Sequence, residues 1–216
     1  WVAGILGTLT VAVYMSYGFV PDPVFIWTTG NNGLLGSMLA LLFIAMGLGG
    51  WWLDREAWHK QGWILRQSGR SPTDFVDQAG MGPSLLNMGL TGALGTAYVL
   101  AVGSDLNGPT LGAIFTIVGF SAFGKHPRNI VPIMLGVFIA SMLKDWSADD
   151  PSAVLAALFG TTLAPIAGRF GWRWGIVAGF VHSSVAQTVG QLHGGLVLYN
   201  NGFAAGLVAA ILVPVI

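Results

Sequence analysis

Asparagine next to glycine, at the mouth of an apolar run, can offer uncharged donors, acceptors and bare backbone to a small polar solute. This 216-residue chain uses the arrangement three times. The phrases are Asn31-Asn32-Gly33-Leu34-Leu35-Gly36, Asn87-Met88-Gly89-Leu90-Thr91-Gly92 and Asn200-Asn201-Gly202-Phe203-Ala204-Ala205. The asparagine amide donates and accepts without charge. Glycine removes bulk and tolerates unusual backbone angles, so main-chain groups can face a cavity. Transporters assemble solute sites from such half-helix mouths near the bilayer midplane. Helix capping by asparagine and close packing by glycine use the same residues. The repetition tips the balance towards a site, with Asn31, Asn87, Asn200 and Asn201 as its lining groups.

A second set of polar residues lies on one helix face. At 100° per residue, Ser183, Ser184, Gln187, Thr188 and Gln191 fall within an arc of about 140°. A stripe of this kind turns towards a bundle interior or an aqueous path, because lipid would leave its hydrogen bonds unmet. Interhelical hydrogen bonding is the plainer use of the same stripe. Ser183, Ser184 and Gln187 are expected along the path, and His193, just before the third phrase, at its entrance. His182 points away from the stripe and reads first as a packing histidine, with a proton or solute contact as the alternative. Gly124-Lys125-His126-Pro127-Arg128-Asn129 reads as a turn. In a re-entrant hairpin, Lys125 and Arg128 would instead sit at depth and favour an anion. Asp105 reads as a turn residue.

Catalytic patterns are absent. The chain has no Gly-x-Ser-x-Gly, His-Glu-x-x-His or Walker loop, and no cysteine to serve as nucleophile, disulfide or thiolate ligand. Asp54, Glu56 and His59 are close together but border a tryptophan-rich stretch. The expectation is a non-enzyme without cofactor or metal.

The elements that must position these residues are apolar. Hydrophobic residues make up 54% of the chain and charged ones 8%, against about 25% charged in soluble domains. An integral membrane protein follows, and the 32 glycines and nine tryptophans agree, since glycine lets membrane helices approach and tryptophan anchors at interfaces. Eight apolar segments are expected, near 1–20, 34–53, 83–103, 109–124, 130–143, 151–168, 172–191 and 195–216. The fourth and fifth fall short of the roughly 20 residues of a full span and suit tilted spans or re-entrant arms. With alternating spans, Arg55, Lys60, Arg66, Arg70, Lys125, Arg128, Arg169 and Arg173 share one side, and Lys144 is alone on the other. The positive-inside rule makes the rich side cytoplasmic. The stretch 54–80, with Trp58 and Trp63 among its cations, suits a connection lying along the headgroups, and Ser71-Pro72-Thr73-Asp74 a turn and helix start.

The repetition extends further. Val2-Ala3-Gly4-Ile5-Leu6-Gly7-Thr8 matches Val177-Ala178-Gly179-Phe180-Val181-His182-Ser183 at an offset of 175, and Asn31 matches Asn200 at 169. A tandem duplication with a parallel unit near 170 residues is expected. The end of a first unit occupies 1–53, a cytoplasmic connection 54–80, and a second unit, truncated at its end, 81–216. The chain opens and closes inside apolar runs, so it reads as part of a longer protein with a fourth phrase upstream. Gly82 to Gly89 aligns with Gly195 to Gly202 without a gap, yet the two enter from opposite sides. That is the mark of an inverted sub-repeat.

The chain resembles a family of duplicated bacterial multi-pass membrane proteins known only as a domain of unknown function. The resemblance rests on Leu106-Asn107-Gly108-Pro109-Thr110-Leu111-Gly112-Ala113-Ile114-Phe115, on Phe123-Gly124-Lys125-His126-Pro127-Arg128-Asn129 and on Tyr199-Asn200-Asn201-Gly202-Phe203. It covers essentially the whole chain and implies no activity. A local similarity to urea transporters lies in Tyr199-Asn200-Asn201-Gly202, with an extra asparagine where that family places glycine.

The expected fold is therefore an all-α integral membrane bundle of the bacterial cytoplasmic membrane. The leading expectation for function is a channel or secondary transporter for a small polar solute or ion. A scaffold or assembly subunit is the alternative, and a membrane-embedded enzyme comes third. The expected partners are the bilayer, that solute or ion, and further copies of the chain. Nucleic acid is not among them, as the formal net charge is zero.

Overall fold

A computed structural model describes residues 6, 9, 10, 13, 16, 17, 27, 28, 30–192 and 200–216. Most of the first apolar segment, and His193, lie outside the described residues. Within them the fold is helical. Its elements are α1 (Asn32–Leu53), α2 (Ala57–Ile64), α3 (Phe75–Ala79), α4 (Met81–Ala101), α5 (Gly108–Phe120), α6 (Pro127–Leu143), α7 (Pro151–Gly160), α8 (Ala164–Phe170), α9 (Trp172–Leu192) and α10 (Asn200–Leu212). Three stretches are long and apolar enough to cross a membrane: α1, α4, and α7 with α8 taken together as Pro151–Phe170. Helix α9 has the length, 21 residues, but its polar stripe lowers its hydropathy. Helices α5, α6 and α10 are shorter.

Local chemistry sets many of the ends. Asn31 caps α1 by accepting from the Leu34 amide at 2.9 Å. Asp74 starts α3 by accepting from the Val76 and Asp77 amides, which bears out the helix start expected there. Asn107 and Thr110 form a reciprocal capping box at α5, with bonds of 2.8 and 3.0 Å. Asn107→Ala is expected to cost about 1 kcal/mol, read as a lower unfolding temperature in detergent. Pro127 and Pro151 begin α6 and α7, where a missing N–H costs nothing. Gly171 ends α8 at φ 97°, a left-handed conformation that suits glycine. Between α7 and α8, Pro165 has no N–H to give the Thr161 carbonyl. The Ala164 amide takes its place in a 3₁₀ turn over Thr161–Leu163.

Two helix pairs, α1 with α4 and α6 with α9, make the most extensive contacts. Both are close backbone approaches through glycine. A Cβ on Gly50 would lie 2.5 Å from the Gly82 carbonyl oxygen, and one on Gly89 2.7 Å from that of Phe43. In the second pair, a Cβ on Gly136 would lie 2.2 Å from the Ile176 oxygen, and one on Gly179 2.0 Å from the Ile133 oxygen. Between the pairs, Ile114, Ile117, Ile130, Val154 and Leu158 fill the main core. Outward, α1 exposes Leu34, Met38, Leu41, Ile44 and Leu48, a surface suited to lipid.

The short segments 109–124 and 130–143 become α5 and α6. Helix α5 packs on α4 and α7, and α6 packs on α7, α8 and α9. Their main partners are other helices, whereas the two arms of a hairpin would pack chiefly on each other. The connection 54–80 is also more than a solvated loop. Ala57, Ile64 and Phe75 are fully buried, and α2 and α3 pack on α4. Trp58 and Trp63 remain exposed, as interfacial anchoring requires.

Candidate functional site

The described parts of the three phrases play three different roles. In the first, Asn31 caps α1. Asn32 ties the helix to the turn before α5: its amide nitrogen donates to Asp105 Oδ1 at 3.0 Å and its oxygen accepts from the Leu106 amide at 2.9 Å. Asp105 is thus a turn residue held by asparagine.

In the second phrase Asn87 is wholly buried on α4. Its Oδ1 accepts from Gln61 Nε2 at 2.9 Å, and its Nδ2 donates to the Ser121 and Lys125 carbonyls, both at 2.8 Å. Both donors are spent on the protein. Asn87 is therefore a bracket joining α2, α4 and the α5–α6 turn. Two residues on, Gly89 provides the close approach to α1.

In the third phrase Gly202 has nothing within 4 Å of where a Cβ would stand. Its neighbour Asn201 carries a buried Oδ1 without a donor. Asn201 faces His182, the eleventh residue of the 21 in α9. His182 is fully buried, and the edge of its ring fills the space where Gly160 of α7 lacks a side chain: a Cβ there would be 2.7 Å from its Cδ2. Asn201 and the Ala156 carbonyl lie near the imidazole, but neither ring nitrogen completes a hydrogen bond of proper geometry. Three unmet polar atoms therefore meet between α7, α9 and α10. Almost all buried polar groups in folded proteins are paired, and those left unpaired call for an explanation.

The next turn of α9 holds the polar stripe. Lys144, at the end of α6, donates from Nζ to the Phe180 carbonyl at 3.1 Å and to Ser183 Oγ at 3.3 Å. It also donates to Ser184 Oγ and lies 3.9 Å from the centroid of the Phe180 ring. Ser183 is buried and Ser184 half-buried. Gln187, one turn beyond Ser183, leaves its Nε2 buried without an acceptor. Among the expected site residues, Ser183 and Ser184 come together under Lys144, with Gln187 on the same stripe. Asn201 sits against His182, and Asn200 opens α10. Asn31 and Asn87 belong to other groupings.

Sequence reasoning left Lys144 out of the site and ranked His182 first as packing. The signals were present: Lys144 is the lone cation on its side of the expected layout, and His182 is the one ionisable residue in the middle of its apolar segment. No group of three or more metal-ligating side chains occurs among the described residues.

A family model described as "Protein of unknown function (DUF1576)" matches residues 53–216. No curated protein and no solved structure matches the chain. The match begins at the last residue of α1 and takes in α2 to α10, including His182, Lys144 and Asn201. With three quarters of its length covered, the chain belongs to the DUF1576 family.

Proposed function

We propose that the chain is a channel or secondary transporter for a small polar solute or ion, and that the His182–Asn201 cluster with the Lys144–Ser183–Ser184 group lines its path. One observation carries the reading. His182, halfway along α9 and wholly enclosed, sits against the Asn201 side chain and the Ala156 carbonyl without a well-aligned hydrogen bond at either ring nitrogen. Ionisable groups at membrane depth are costly and mark solute, ion or proton paths. On this reading α9 crosses a bilayer with its stripe turned inward, several helices span, and the cation-rich loops face the cytoplasm.

On this reading the close packing around His182 is the shut state, and opening admits water to Asn201 and Ser183. The chain has no native cysteine, so single cysteines can be read without background. Asn201→Cys and Ser183→Cys are expected to react with a small membrane-impermeant thiol reagent in vesicles. Val154→Cys, in the main core, is expected to stay unlabelled. Failure of both path positions to react, in vesicles where an exposed control cysteine does, would count against a water-lined path.

A further inference from the structure

The turn between α5 and α6 buries a cation that the proposed path does not use. Lys125 is 7% exposed. Its Nζ donates to Thr161 Oγ1 at 2.8 Å and lies 5.2 Å from the centroid of the Phe120 ring. Thr161 in turn donates to the Leu158 carbonyl. The ammonium therefore keeps two further protons for which the described residues supply no acceptor. No carboxylate compensates it: among the described residues the ion pair formed is Lys60–Asp54. A buried, unpaired charge is costly, and a partner repays the cost.

The surroundings supply room for that partner. A cavity of about 200 Å³ is lined by Lys125, Thr161, Thr162, Gly124, Phe120 and Phe123, among others. No second titratable side chain lines it. The 3₁₀ break at Thr161–Leu163 places Thr161 and Thr162 at its wall, and α4 to α6 hold the turn from the other side through the Asn87 bond to the Lys125 carbonyl. Phe120 and Phe123 are exposed beside the cavity.

We propose that this cavity binds a phosphate group, with the Lys125 ammonium as the charge partner and the Thr161 and Thr162 hydroxyls beside it. The phosphate can belong to free inorganic phosphate or to a phospholipid headgroup whose chains run along Phe120 and Phe123. The site does not depend on the transport reading, and its test reads binding rather than flux.

The experiment uses the full chain in neutral detergent, with inorganic phosphate titrated calorimetrically. In parallel, native mass spectrometry follows retention of phosphatidylglycerol against phosphatidylcholine. Saturable phosphate binding, weakened tenfold or more in Lys125→Met, would establish the free anion as ligand. Preferential retention of phosphatidylglycerol, lost in Lys125→Met, would establish the headgroup. Neither ligand binding the wild-type chain, or equal binding by a folded Lys125→Met, would overturn the proposal.

A second measurement needs no variant. The turn lies outside the three helices of membrane-crossing length, and burial pushes the Lys125 ammonium down to about 8. Because the charged form binds the anion, affinity is expected to fall as pH rises through that value, by up to roughly tenfold per unit. Binding unchanged up to pH ~10 would also overturn the proposal.

Discussion

Replacing Gly179 by alanine is expected to cause one of the largest losses of stability available from a single methyl group in this chain. The added Cβ would stand 2.0 Å from the Ile133 carbonyl oxygen. Backbone cannot rotate aside as a side chain can, so α6 and α9 must separate along their whole contact. Gly136, on the facing helix, is in the same position against Ile176. Overpacking typically costs 1–3 kcal/mol, and a main-chain obstacle puts this case at about 3 kcal/mol or above. The measurement is thermal unfolding in detergent, with Gly202→Ala as its control. Gly202 lies inside α10 with open space around it, so alanine there is expected to be neutral or to gain about 0.5–1 kcal/mol through lower chain entropy. Equal unfolding temperatures for the two variants would show that the α6–α9 contact is not the close approach described.

Asn87→Ala is the second large effect. It removes the acceptor of Gln61 Nε2 and the donors to the Ser121 and Lys125 carbonyls. Each buried group left unpaired costs about 1–3 kcal/mol, so a loss of roughly 3 kcal/mol or more is expected even after partial relaxation. Asn87→Asp tests the cause. It keeps the size but turns an acceptor towards two carbonyls, and should be no milder than alanine. Thermal unfolding together with size-exclusion profiles would read both variants. If Asn87→Ala unfolds like the wild-type chain, the bracket has no structural weight and Asn87 returns to the pool of path-lining residues.

Several features of the fold were legible because they depend on neighbours along the chain. The helix start at Asp74 and the apolar runs that became helices fall in this class, whereas Asn31, expected in the site, caps a helix. The role of each Asn-x-Gly phrase was not legible, because the same three residue types cap in one place, bracket in another and leave an amide unpaired in the third. What separates them is which helix lies opposite. Gly89 meets the Phe43 backbone while Gly202 meets nothing, and no local pattern distinguishes the two. Lys144 escaped for a related reason. Its side chain reaches from the end of α6 onto a serine pair 39 and 40 residues later. The polar stripe of α9 predicted that something would cover Ser183 and Ser184, but not that a cation would.

The buried Lys125 and the half-buried Lys144 also differ in kind. Lys144 donates to three acceptors, whereas Lys125 has one. The first is a finished internal contact and the second an incomplete one. His182 and Asn201 are incomplete in the same sense, which is why transport is proposed through them.

Solute flux into vesicles reconstituted with the full chain tests that proposal most directly, using a panel of small neutral polar solutes, anions and cations. At least one is expected to enter faster than into empty vesicles. His182→Leu and Asn201→Ala, in folded protein, are expected to cut that rate tenfold or more, a change of about 1.4 kcal/mol in the barrier, while Gly202→Ala leaves it unchanged. No flux above empty vesicles for any member of the panel, or equal flux through all three variants, would contradict the account.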